Sequence, residues 1–284
     1  MRGSITDYHV HVERGPYTLE WLERFVDQAE RAGVTELGIS EHAYRFTQTR
    51  PLLSNPWVEK RKTEDLDEYL GLLLDARKKG IRIKIGIEMD FMPDNAERMK
   101  DFLAAYPFDY AIGSVHWLGG FGFDLDEMRD QWEQNRIEDV YETYFSVLEQ
   151  LIASKCVDII GHADVIKVFG FKAPEVAALW YERLTPKIKA SGLAVEVSTA
   201  GWRKPVNEIY PAPEWLPRLV AAGVPLVLSS DAHRPEDVGA LYPQALDLLR
   251  ALGVKGFATF TGRKMSNGAA SLASDGFQKR TNGT

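Results

Sequence analysis

The chain has 284 residues, 45% of them hydrophobic, with 34 Lys and Arg against 41 Asp and Glu and a net charge of −7. That length and apolar content suit one α/β barrel, and the acidic balance argues against a nucleic-acid surface. No apolar run reaches the ~18 residues of a membrane helix, the N-terminus carries no apolar signal stretch, and the single cysteine, Cys156, excludes an internal disulfide and fits a reducing cytoplasm.

Short β-branched runs alternate with longer segments at helical spacing. The first strand is expected over residues 5–12. A helix follows, capped by Thr18, with Leu19, Leu22, Val26 and Ala29 on one face and Gly33 at its end. A second strand over 35–42 leads into a Pro-containing insert, residues 44–63. Further strands are expected over 81–89, 110–116, 157–162, 194–198 and 225–231, with 256–260 as a candidate eighth. Strands separated by helices pair in parallel through crossovers. Seven or eight such units, without a Gly-rich dinucleotide fingerprint, favour a closed barrel over an open sheet. The expected domain is residues 1–265, and the Gly-, Ser- and Asn-rich residues 266–284 read as a flexible tail.

The six histidines, His9, His11, His42, His116, His162 and His233, all fall at or just past the C-terminal end of an expected strand. In parallel barrels that rim is where active sites assemble. His9 and His11 are two residues apart on a strand and so share a face, as do Asp231 and His233. Glu88 closes the apolar run Ile83-Lys84-Ile85-Gly86-Ile87-Glu88. A carboxylate there is costly to bury without a cation or donor. Arg82 and Lys84 are possible partners for Glu88, Asp90 competes for its role, and Glu41 competes with His42 for the rim. This nitrogen and oxygen set suits zinc, manganese or iron. It exceeds what one ion can use, and Glu88 has two oxygens with which to bridge a pair.

The pattern His9-x-His11, Ser40-Glu41-His42, Gly86-Ile87-Glu88, Gly113-Ser114-Val115-His116, Gly161-His162-Ala163-Asp164 and Ser230-Asp231-Ala232-His233 resembles the PHP (polymerase and histidinol phosphatase) superfamily. It is most similar to the monofunctional histidinol-phosphatases. The resemblance implies a distorted (β/α)7 barrel with two or three divalent transition ions at the C-terminal rim. One ion would take His9, His11, Glu88 and Asp231, and a second Glu88, His116 and His162. A third would take His42, His233 and one ligand from the loop after His11. In that loop the resembled enzymes carry a histidine, whereas this chain reads Val12-Glu13-Arg14-Gly15-Pro16-Tyr17. Glu13, two residues past His11, is the expected replacement.

Similarity over Ser198-Thr199-Ala200-Gly201-Trp202-Arg203-Lys204-Pro205 implies that Arg203 binds substrate phosphate, with Lys167 as a second cation. The implied activity is hydrolysis of L-histidinol phosphate in histidine biosynthesis, with Glu88, Asp231 and His233 as the catalytic set. Asp231 or His233 could give the leaving alkoxide its proton, but a metal-bound group is a poor acid and the role stays open. Selectivity would need a carboxylate near the substrate ammonium, from Glu13, Asp164 or Glu208. The alternatives are another PHP-type activity on nucleotides or phosphotyrosine, an amidohydrolase-type barrel, and a non-catalytic metal-binding module. Amidohydrolases usually place a carboxylated lysine on a middle strand, where this chain has Glu88.

Overall fold

The computed structural model describes residues 4–267. Seven parallel strands form its centre: β1 (Thr6–Asp7), β2 (Glu36–Ile39), β3 (Ile83–Asp90), β4 (Tyr110–Ser114), β7 (Ile159–Ile160), β8 (Ala194–Ser198) and β9 (Leu226–Ser229), paired in that order. A two-strand hairpin, β5 (Trp117–Leu118) with β6 (Phe121–Gly122), projects from the rim after β4. Between β9 and β1 the seam is closed by Thr6, whose hydroxyl bonds both N and O of Leu228, and by a parallel bridge between Val10 and Ala232. The result is a nearly closed (β/α)7 barrel.

Among the described residues eight α-helices surround it: α1 (Leu19–Arg31), α2 (Pro56–Glu59), α3 (Leu66–Lys78), α4 (Ala96–Ala105), α5 (Ile137–Ser154), α6 (Pro174–Ser191), α7 (Leu216–Ala221) and α8 (Tyr242–Ala251). Helix α1 starts where expected. The Thr18 hydroxyl accepts from the Trp21 amide, Glu20 sits at the positive end and Arg31 at the negative end. Its buried face is Leu22, Phe25 and Ala29, and Gly33 at φ 72° reverses the chain toward β2.

Two apolar layers hold the barrel, beside a small third cluster of Leu53, Val58 and Trp117 at the insert. The larger packs helices on the outside of the strands and includes Leu22, Leu73, Leu103, Leu148, Leu184 and Leu246. The smaller fills the barrel with Tyr8, Tyr110, Ile112, Ile159, Ala194 and Val227, and Tyr8 stacks on Tyr110 at 4.6 Å. Gly38 and Gly86 make room for the Tyr110 ring. A Cβ at Gly86 would lie 2.2 Å from a ring atom and one at Gly38 2.2 Å from the Tyr110 hydroxyl.

The expected eighth strand is not a barrel strand. β10 (Ala258–Thr261) pairs antiparallel with β11 (Lys264–Asn267), and Ala258 and Phe260 plug the barrel's N-terminal end. Arg263 in the turn binds Asp158 and the Cys156 carbonyl. Ser266 and Asn267 therefore belong to this plug and not to a tail, because their backbone is paired with β10. The rest of the expected tail lies outside the described residues. Within the described residues no helix is long and apolar enough to cross a membrane.

Candidate metal centre

All six histidines meet at the C-terminal rim around Glu88, the sixth residue of β3. The two oxygens of Glu88 face different imidazoles. Oε1 lies 3.2 Å from His9 Nε2, 3.2 Å from His162 Nε2 and 3.5 Å from His116 Nε2. Oε2 lies 2.6 Å from His42 Nδ1 and 3.7 Å from His11 Nε2. Asp231 Oδ1 approaches His11 Nε2 at 3.5 Å and His9 Nε2 at 3.7 Å. His42 and His233 bring their Nε2 atoms within 3.4 Å of each other. Asp231 holds a left-handed backbone at φ 51°, strain of the kind that persists where the surroundings over-determine a residue.

Among the described residues four sets of atoms could each hold an ion: His9, His11 and Asp231; His9, Glu88 and His162; His11, His42 and His233; and His11, Glu13 and Glu41. His116 joins the second through His162, with Nε2 atoms 3.3 Å apart. Glu13 falls with His11 and Glu41, so its oxygen stands beside the third set and not between His42 and His233. Its other partner is Arg14, at 3.6 Å.

The fit to metal rests on unsatisfied atoms. His9 Nε2, His11 Nε2, His42 Nδ1 and both Glu88 oxygens are buried and have no hydrogen-bond partner among the described residues. The imidazole–carboxylate contacts offset part of the cost, but at about 1–3 kcal/mol for each atom without a directed hydrogen bond, five together are comparable to the net stability of a domain. Cations of the zinc, manganese or iron type would satisfy all of them at once.

Further carboxylates aim the imidazoles. His9 Nδ1 lies 2.7 Å from Glu196 Oε1, His11 Nδ1 3.4 Å from Glu41 Oε1, and His116 Nδ1 2.8 Å from Asp90 Oδ1. Each contact takes Nδ1 and leaves Nε2 for the centre, the usual way a metal-ligating imidazole is oriented. Glu196 also accepts from the His162 amide, and Glu41 from the amides of Val12 and His42.

Charge in the cluster follows from the same contacts. Burial opposes the charged form of His9, but Glu196, Glu88 and Asp231 outweigh it and raise its pKa well above normal. Against the same opposition from burial, His11 is pushed up to about 10 by Asp231 and Glu41, and His116 to about 10 by Glu88 and Asp124. Burial would raise Glu88 and Asp231, yet the imidazoles around them hold both well below the carboxylate range. His233 is held well below its ordinary value by burial and then by the neighbouring His11.

The cluster floors a cavity of about 310 Å³. The insert after β2 forms one wall through Tyr44, Arg45, Trp57 and Arg61, and the β5–β6 region adds Trp117, Asp124 and Leu125. Lys204 lines the cavity, whereas its neighbour Arg203 does not. Arg203 donates from Nη2 to the carbonyls of Ser230 (2.7 Å) and Asp231 (3.4 Å). Lys167 is buried behind Tyr210 and donates to Asp164, Glu208 and the Ile209 carbonyl. Asp164 and Glu208 are thus committed to a lysine.

Sequence reasoning missed Glu196, Lys204 and Asp124. Glu196 carried the same signal as Glu88, a carboxylate inside the apolar run Ala194–Ser198. Asp124 sits in a loop with no periodicity to mark it.

An α/β barrel whose rim gathers imidazoles and carboxylates around unsatisfied ligand atoms defines a metal-centre protein. The chain belongs to the PHP domain family, whose model matches residues 7–200. It is 32% identical over 269 residues to a probable histidinol-phosphatase of Deinococcus radiodurans, covering 92% of this chain and 98% of that one. It is 27% identical over 263 residues to the histidinol-phosphatase of Bacillus subtilis, covering 85% and 98%. In fold it is similar to the histidinol phosphate phosphatase of Lactococcus lactis, solved with zinc, L-histidinol and phosphate. The TM-score is 0.72 and the identity 21%, over 93% of this chain and 99% of that one.

Proposed function

We propose that this chain is a metal-dependent phosphomonoesterase that hydrolyses L-histidinol phosphate to L-histidinol and phosphate. The observation that carries the reading is the set of buried, partnerless ligand atoms around Glu88 at the floor of a substrate-sized cavity. The names of the relatives narrow the substrate.

His9, His11, Glu88 and Asp231 would hold one ion, Glu88, His116 and His162 a second, and His42, His233 and Glu13 a third. When bound, such ions activate water and neutralise charge on a phosphoryl group. The chain's own residues supply the rest. Glu196, Glu41 and Asp90 fix the ring orientations of His9, His11 and His116. Asp231 and His233 line the cavity beside the cluster and are the groups placed to exchange a proton with a bound water or the leaving group. Lys204 meets phosphoryl charge from the cavity wall. Arg203 clamps the carbonyls of the turn that presents Asp231. Aromatic walls at Tyr44, Trp57 and Trp117 keep bulk water from the floor.

The test is turnover of L-histidinol phosphate against a panel of nucleotide, phosphotyrosine and aryl phosphates, with and without a strong chelator. Preference for L-histidinol phosphate that vanishes on chelation is expected. Equal turnover across the panel would show a generalist phosphatase, and full activity in metal-free protein would remove the reading.

A further inference from the structure

Of the carboxylates lining the cavity, Asp124 is the one that no side chain among the described residues meets directly, although its charge is felt by His116 and His162. Glu88 and Asp231 lie among imidazoles, Asp90 meets His116, and Glu13 faces Arg14. Asp124 makes no ion pair or hydrogen bond to another side chain among the described residues, and its Oδ1 is buried without a partner. It belongs to none of the atom sets that could hold an ion. The nearby arginines are committed, Arg45 to Glu64 and Arg61 to Glu127. His116 and His162 offset part of the cost of burying this carboxylate from a distance, but no group meets Oδ1 directly, and a cation arriving with the ligand would. The same cavity holds a partnerless buried donor, Trp57 Nε1. A ligand that satisfies both atoms brings a cationic group and a neutral acceptor.

We propose that Asp124 is the specificity-determining residue that receives the primary ammonium group of the substrate, so that the cavity selects phosphomonoesters carrying an amine. This rests on the phosphomonoesterase reading. The phosphoryl end lies over the histidine floor and the amine end lies against Asp124, beside the β5–β6 hairpin. Trp57 Nε1 then faces the unprotonated nitrogen of the imidazole ring.

The experiment compares holoenzyme and the variants Asp124→Asn and Asp124→Glu on L-histidinol phosphate and on its deaminated analogue, 3-(imidazol-4-yl)propyl phosphate. Loss of a charge-assisted contact should lower kcat/KM of Asp124→Asn on the amine substrate by roughly 30-fold and on the analogue by less than about twofold, at unchanged metal content. Asp124→Glu should recover part of the preference. Equal losses on both substrates, or no loss on either, overturn the assignment. If Asp124→Asn does not fold, Asp124→Glu decides, since an unchanged ratio between the two substrates also overturns it. Wild-type enzyme that hydrolyses the analogue as well as the amine refutes the role of Asp124 alone. Wild-type enzyme that hydrolyses neither refutes the phosphatase reading itself.

Discussion

Glu88 shows how one side chain organises the site. Its two oxygens face five imidazoles, and its position at the end of β3 lets neighbouring strands deliver those rings to it. Glu88→Gln keeps the shape but replaces one oxygen with an NH2 that cannot ligate. It should remove more than one equivalent of metal by elemental analysis and lower kcat/KM by more than about a hundredfold, beyond the 10–100-fold typical of an outer-shell carboxylate. Glu13 is a narrower case. Burial, and then the charge of Glu41, raise its pKa, which an ion would reverse. Glu13→Ala should lower stoichiometry by about one ion and leave the sets built on Glu88 filled. Three ions at full occupancy in that variant would exclude Glu13 as a ligand.

The imidazoles also set the pH dependence of metal binding. In the metal-free fold His9, His11 and His116 are raised above neutrality, the last two to about 10. They therefore carry protons at pH 7–8 that must leave before Nε2 can ligate. Metal binding at neutral pH should release protons, and affinity should rise with pH until those groups are deprotonated, toward pH 10. Titration calorimetry in buffers of different ionisation enthalpy would measure the release, and a buffer-independent heat would contradict it.

At the scale of elements, the strands position the site and the plug keeps them in register. Tyr110 crosses the barrel interior, stacks on Tyr8 and donates to the Tyr8 carbonyl at 2.7 Å, just before His9. Gly38 and Gly86 exist at the points where its ring passes. Gly86→Ala forces a Cβ against the ring and should destabilise the fold by about 1–3 kcal/mol, the usual cost of overpacking. A denaturant midpoint equal to wild type would show that the ring can shift. The insert after β2 supplies a wall of the cavity instead of a barrel element. Its anchor is the Asn55 side chain, which caps α2 through the amides of Trp57 and Val58.

At the scale of the molecule, the fold stores an unfavourable arrangement at its rim and a stable one beneath it. The Tyr- and Ile-filled barrel and the outer helix layer supply burial, while the rim concentrates charge. Metal that binds only the folded state stabilises it by mass action, about 2.7 kcal/mol at a hundredfold excess over Kd. Chelation should therefore lower Tm by roughly 5 °C or more, and added zinc or manganese should restore it. An unchanged Tm on removal of measured metal would mean that the ions are not coupled to folding.

The sequence by itself determined which residues meet. The spacing of His9 with His11 and of Asp231 with His233 marked pairs that do meet, although both lie past the ends of β1 and β9 and Asp231 takes a left-handed backbone, and an apolar run ending in Glu88 marked a carboxylate that needs a cation, because both signals are local. The helix-capping glycines and Thr18 were local in the same sense. Tertiary structure alone decided the partners of each Nδ1, the placement of Glu13 beside Glu41, and the use of residues 256–260 as a plug, since these depend on which strands become neighbours. It also separated Arg203 from Lys204. Adjacent residues at the end of the 3-10 turn that follows β8 point in different directions, and only the closed barrel shows that Lys204 faces the cavity while Arg203 grips the backbone behind Asp231.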